Sequence, residues 1–119
     1  MTPIFPIIEL VDRYSIATLK FDKTGANAAE VEFYKTQLDQ FNTESITVDL
    51  IQLYNIHAEI WKLEAELKSG TESNLSLEEI GLRAIKIRDW NNQRVALKNI
   101  MAEKLNCNVR EIKQDHLSQ

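Results

Sequence analysis

Apolar residues along this chain mostly return every three to four positions, a spacing that predicts helices and no convincing strand. Four helices follow from it. The first runs from about Ile7 to Lys23 and stops at Thr24-Gly25, where glycine supplies a left-handed C-terminal residue. The second starts after Asn27, which has capping-box spacing to Glu30, and carries the stripe Val31, Tyr34, Leu38 and Phe41. The third begins between Ser45 and Thr47, runs to Lys68 and ends at Ser69-Gly70, with Thr71 to Leu75 as a loop. The fourth and longest spans about Leu77 to Leu105, opened by a second capping box, Ser76 with Glu79. The short link between the last two predicts an antiparallel hairpin. The fold class expected is therefore all-α, a single domain over residues 1–119, with a polar tail over about 108–119.

The fourth helix is apolar on two sides. Ile80, Ala84, Ile87, Val95, Ala102 and Leu105 form one face; Leu82, Ile85, Ala96 and Ile100 lie nearly opposite. A second apolar face calls for a second cover. Either the helix is central in its own bundle, covered there by the second helix, or another subunit covers it, which makes a homodimer or a protein partner the expected association.

Polar residues interrupt the apolar faces in register. At about 100° per residue, His57, Trp61, Glu64 and Lys68 fall on one narrow line, and Asn91, Arg94 and Lys98 lie within about 60° of one another inside the Ile80–Leu105 face. In the first helix Asp12 sits among Ile8, Ile16 and Leu19, with Glu9 one turn earlier. The signs are complementary, and buried charges must be paired or neutralised. Hairpin register places Glu64 toward Arg83 and leaves Arg94 and Lys98 to meet Glu9 or Asp12. One reading is a set of ion pairs that fixes helix register. The other is a pocket between the first, third and fourth helices, formed by Glu9, Asp12, His57, Glu64, Asn91, Arg94 and Lys98. Such a pocket suits a small anion, such as a phosphate, nucleotide or sugar nucleotide, to be bound or hydrolysed. The tryptophans Trp61 and Trp90 read as core anchors.

Composition narrows the partners. The chain has 119 residues, 44% hydrophobic and 27% charged, which fits one small domain with one core. A formal net charge of −4 argues against a nucleic-acid backbone as partner. The single cysteine, Cys107, excludes an intrachain disulfide and a thiolate metal cluster. No apolar run reaches the roughly 20 residues that span a bilayer, and MTPIFPIIEL lacks a basic leader, so no membrane insertion and a cytoplasmic location are expected. The sequon Asn74-Leu75-Ser76 is idle there.

Enzyme templates do not fit. Glu-x-x-His and His-Glu-x-x-His are absent, which removes the di-iron bundle and the zinc helix, and no metal site is expected. Glu9-Leu10-Val11-Asp12 matches half of the magnesium motif of helical pyrophosphatases, without the glutamate cluster that should precede it. No glycine-rich phosphate loop exists. No cofactor is named by any motif.

Three phrases, Glu9-Leu10-Val11-Asp12-Arg13 with Ile16 and Lys20, His57 to Ala65 around Trp61 and Glu64, and Asn91-Asn92-Gln93-Arg94 with Lys98, resemble the hallmarks of a family of small all-helical bacterial proteins of unknown function. The resemblance covers the first, third and fourth helices. It implies a bacterial or phage source and a specific role for the polar line, either architectural or ligand-binding. His57 stands where that pattern has asparagine, Ala65 where it has aspartate, and Lys68 where arginine is usual. The leading functional expectation is a non-enzymatic accessory or interaction protein working through helix–helix association. The alternative is the small-molecule binder or hydrolase.

Overall fold

The computed structural model describes residues 6–105 apart from Asn74, and the side chains of residues 6–69 and 75–105. The expected polar tail, Cys107 and the asparagine of the sequon lie outside them. The elements are α1 (Ile7–Thr24), α2 (Ala28–Leu38), a single 3-10 turn (Glu44–Ile46), α3 (Thr47–Ser73) and α4 (Leu77–Lys104). The protein is all-α, and the α3–α4 hairpin is its largest packed unit.

Local chemistry sets most boundaries. Gly25, at φ 72°, ends α1 and donates its N–H to the Phe21 carbonyl at 2.7 Å. At the start of α4 the Glu79 N–H donates to Ser76 Oγ at 3.1 Å, while the Ser76 N–H donates to Glu79 Oε1 at 3.0 Å. The Ser76 backbone N–H, followed by its hydroxyl, holds the Glu79 carboxyl below its usual range.

Helix α2 starts after Asn27 as expected, but the capping box is not formed: Asn27 holds the N-cap position in the left-handed conformation, at φ 56°, and makes no side-chain cap. Its amide instead donates to Glu30 Oε1 at 3.0 Å and to the Ala17 carbonyl at 3.3 Å, tying the α1–α2 turn together. Asparagine is among the few residues that tolerate this backbone conformation. The third helix also runs past Ser69-Gly70 to Ser73. A lone glycine costs a helix only about 1 kcal/mol, and no proline follows to stop it. Helix α2 ends at Leu38, and Phe41 packs against the core from beyond its end.

The core joins α1 residues Ile8, Leu10, Val11 and Ala17 to Leu53 and Ile56 of α3 and to Leu97, Met101 and Ala102 of α4. The helix packed on several sides is α1, not α4. It touches α2, α3 and α4, whereas α2 makes no contact with α4 among the described residues. The Leu82, Ile85, Ala96 and Ile100 face therefore gets no cover from α2, and all four residues are exposed.

Length explains the shape. An 18-residue α1 reaches about 27 Å, whereas the 28 residues of α4 reach about 42 Å. The hairpin tip projects, so Ala84 is exposed and Ile80 and Ile87 are only partly covered, unlike Val95 and Ala102 on the same face. The radius of gyration is 15.8 Å, against about 13.5 Å for a compact chain of this length.

Candidate functional site

Asp12 is the hub of a buried ion cluster. Its position follows from α1, whose apolar neighbours Ile8, Val11 and Leu19 are all buried and bring the carboxylate into the interior with them. Arg94 Nη1 donates to Asp12 Oδ2 at 2.8 Å, and Lys98 Nζ donates to the same oxygen at 3.3 Å. His57 Nε2 lies 2.9 Å from Oδ1. An ionised carboxylate only accepts, so Nε2 carries the proton. Lys98 also donates to Glu9 Oε2 at 3.1 Å. With 1% exposure, Lys98 is the largest fully buried side chain of the molecule.

Two carboxylates thus face an arginine and a lysine, with an imidazole completing the set. Burial pushes the Asp12 carboxyl up, but the His57 hydrogen bond and the charges of Arg94 and Lys98 outweigh it. The net result lies below the ordinary value of 3.8. The cluster spans three helices and joins residues 45 to 89 positions apart, which makes it a seam between α1 and the hairpin.

The site residues expected from the sequence fall into two groups. Glu9, Asp12, His57, Arg94 and Lys98 converge in the cluster. Glu64 and Asn91 do not join it. They line an adjoining groove of about 280 Å³ together with Ile16, Leu19, Ile60 and Trp61. His57 and Arg94 form the side shared with the cluster. The polar line on α3 therefore climbs from the interior to the surface: His57 is buried, Trp61 half-buried, Glu64 and Lys68 exposed. Trp90 packs against the core, whereas Trp61 is a pocket wall rather than a core anchor.

The expected Glu64–Arg83 pair is not formed. Arg83 Nε donates to Glu66 Oε1 at 3.0 Å, because Glu66 lies one turn beyond buried Leu63 on the side of α3 that faces α4. Two further ties between helices had no signal in the periodicity. Lys104 Nζ donates to Asp49 Oδ2 at 2.7 Å, and the Tyr54 hydroxyl donates to Asp22 Oδ2 at 2.6 Å, which raises the phenol above its usual range.

Among the described residues, no three of His, Cys, Asp and Glu are gathered as metal ligands. No described helix is long and apolar enough to cross a membrane. Comparison of the chain with protein-family profiles, with curated proteins and with solved structures gives no match. What the arrangement offers chemically is a neutralised buried seam beside a small amphipathic groove.

Proposed function

We propose that this chain is an accessory protein that acts by helix–helix association, and that the first partner of its hairpin is a second copy of itself. The observation that carries this reading is the uncovered row on α4, where Leu82 is 53%, Ile85 46% and Ile100 49% exposed. Single exposed apolar residues are ordinary, but these share one side of the helix. Their spacing is also self-complementary. Leu82 and Ile100 lie at equal distances on either side of Asn91, and Ile85 and Ala96 nearly so. A two-fold axis that crosses this row at the level of Asn91, on the side of α4 away from that residue, pairs two α4 helices antiparallel and sets Leu82 against Ile100 and Ile85 against Ala96 of the second copy. The same axis brings Asp89 near the second copy's Gln93, an amide that can donate to it. An isologous contact requires this kind of symmetry. The elongated hairpin, which α1 covers only in part, supplies the free length.

The test is the mass in solution by light scattering. The wild type is expected to weigh as a dimer, and Leu82→Glu and Ile100→Glu as monomers with unchanged helicity by circular dichroism. Each substitution enters the two-fold interface twice, so each is expected to weaken association by at least tenfold, about 1.4 kcal/mol. A wild type that remains monomeric at the highest concentration reached, or a dimer insensitive to both glutamates, overturns the proposal.

A further inference from the structure

The groove beside the cluster has a charge balance opposite to the one its basic residues suggest. Arg94 lines it, yet its guanidinium is held by Asp12 at 2.8 Å and only 19% of its side chain is exposed. Lys98 is fully buried between Glu9 and Asp12. An anion entering the groove therefore meets cations already neutralised by carboxylates. It also meets Glu64, which is exposed and has no ion-pair partner among the described residues. Lys68, one turn further along α3, makes no ion pair with it either, and an exposed pair of that kind contributes only about 0.3–0.5 kcal/mol.

We propose that this groove binds a small organic cation, an alkylammonium or alkylguanidinium ion, with Glu64 as its counter-charge. Three features of the lining fit that class. Trp61 precedes Glu64 by three residues and lines the same groove, so an indole stands beside the carboxylate, the pairing that attracts a desolvated cation. Asn91, on α4, makes no side-chain hydrogen bond among the described residues and offers its amide oxygen to an N–H donor. Ile16, Leu19 and Ile60 supply an apolar wall for the alkyl chain. The volume of about 280 Å³ lies at the small end for ligand sites and suits an ion of this size rather than a nucleotide. The site lies on the α1 side of the hairpin, away from the Leu82–Ile100 row, and does not depend on the dimer.

The experiment is a nuclear magnetic resonance titration with butylguanidinium. The chain has two tryptophans, hence two indole N–H resonances, which Trp90→Phe assigns. Butylguanidinium is expected to move the Trp61 resonance and leave that of Trp90 in place. Glu64→Gln, at an exposed position, is expected to weaken binding about tenfold, the combined loss of a carboxylate contact and its support of the cation over the ring. Lys68→Gln is expected to tighten it, and Glu59→Gln, outside this groove, to leave it unchanged. The amide of N-acetylarginine separates the sources of the cation: binding weaker than butylguanidinium marks a site for a free ion, and tighter binding marks a basic side chain on a peptide. The proposal is overturned by no response to butylguanidinium, by equal responses of both indoles, by undiminished affinity in Glu64→Gln, or by inorganic phosphate moving the Trp61 resonance in its place.

Discussion

Asp12→Asn is expected to lower the midpoint of thermal unfolding by about 12–20 °C, the shift that corresponds to about 3–5 kcal/mol in a domain of this size. The asparagine keeps the shape of the side chain and removes its charge. Arg94 and Lys98 then lose their shared counter-ion, and Lys98, at 1% exposure, keeps its contact with Glu9 but not the charge of Asp12. A buried cation short of a partner is the costly half of a broken ion pair. Lys98→Met is expected to cost much less. Methionine fills a similar volume without charge, Asp12 keeps Arg94 and His57, and Glu9, about one-third exposed, turns to water. The double variant Asp12→Asn/Lys98→Met is expected to be more stable than the sum of the two losses, because the second change removes the charge the first left stranded. Denaturant titrations of the four proteins measure this. An Asp12→Asn protein within about 1 kcal/mol of wild type shows that the cluster does not hold α1 to the hairpin.

Acid is expected to do to the wild type what asparagine does permanently. The Asp12 carboxyl is held below its ordinary 3.8, so the native state keeps this group ionised at a pH where the unfolded chain has protonated it. Its stabilisation is complete above about pH 5 and is lost as pH falls through about 4 and below. Stability therefore rises with pH across that window. Other carboxylates share the limb, so the difference between wild type and Asp12→Asn is the informative curve: wide at neutral pH and closing toward acid. Melting temperatures across that range measure it, and a difference that stays constant refutes the assignment of the acid limb to Asp12.

The sequence pattern revealed which residues share a helix face, but it did not give the rotation of one helix against another or the length over which a neighbour covers it. The four helices, the Ser76 box and the meeting of Glu9 and Asp12 with Arg94 and Lys98 were legible, because each rests on spacing within a helix plus complementary charge. The partner of Arg83 was not. Glu64 and Glu66 are two residues apart, about 200° around α3, and only the packed hairpin shows that the Leu63–Glu66 side faces α4. The central position of α1 was hidden as well. Its apolar residues looked like one ordinary face, yet Leu10 and Ala17, on the opposite side from Ile8 and Leu19, are buried too. The groove was half visible: its polar residues stood out as intrusions into apolar stripes, whereas its Ile16, Leu19 and Ile60 wall reads like any core.

The placement of the ion cluster also sets an order of assembly. The α1–α2 and α3–α4 pairs are closed by short links and need only local contacts, which form fast. The Asp12 contacts with Arg94 and Lys98 close a loop of more than 80 residues and cannot gain their energy until both helix pairs exist and dock. The seam is therefore expected to form late, as α1 docks on the hairpin. It acts as a latch on the native state rather than as a guide to it: its strength sets how long the folded protein lasts and has little bearing on how quickly it arises.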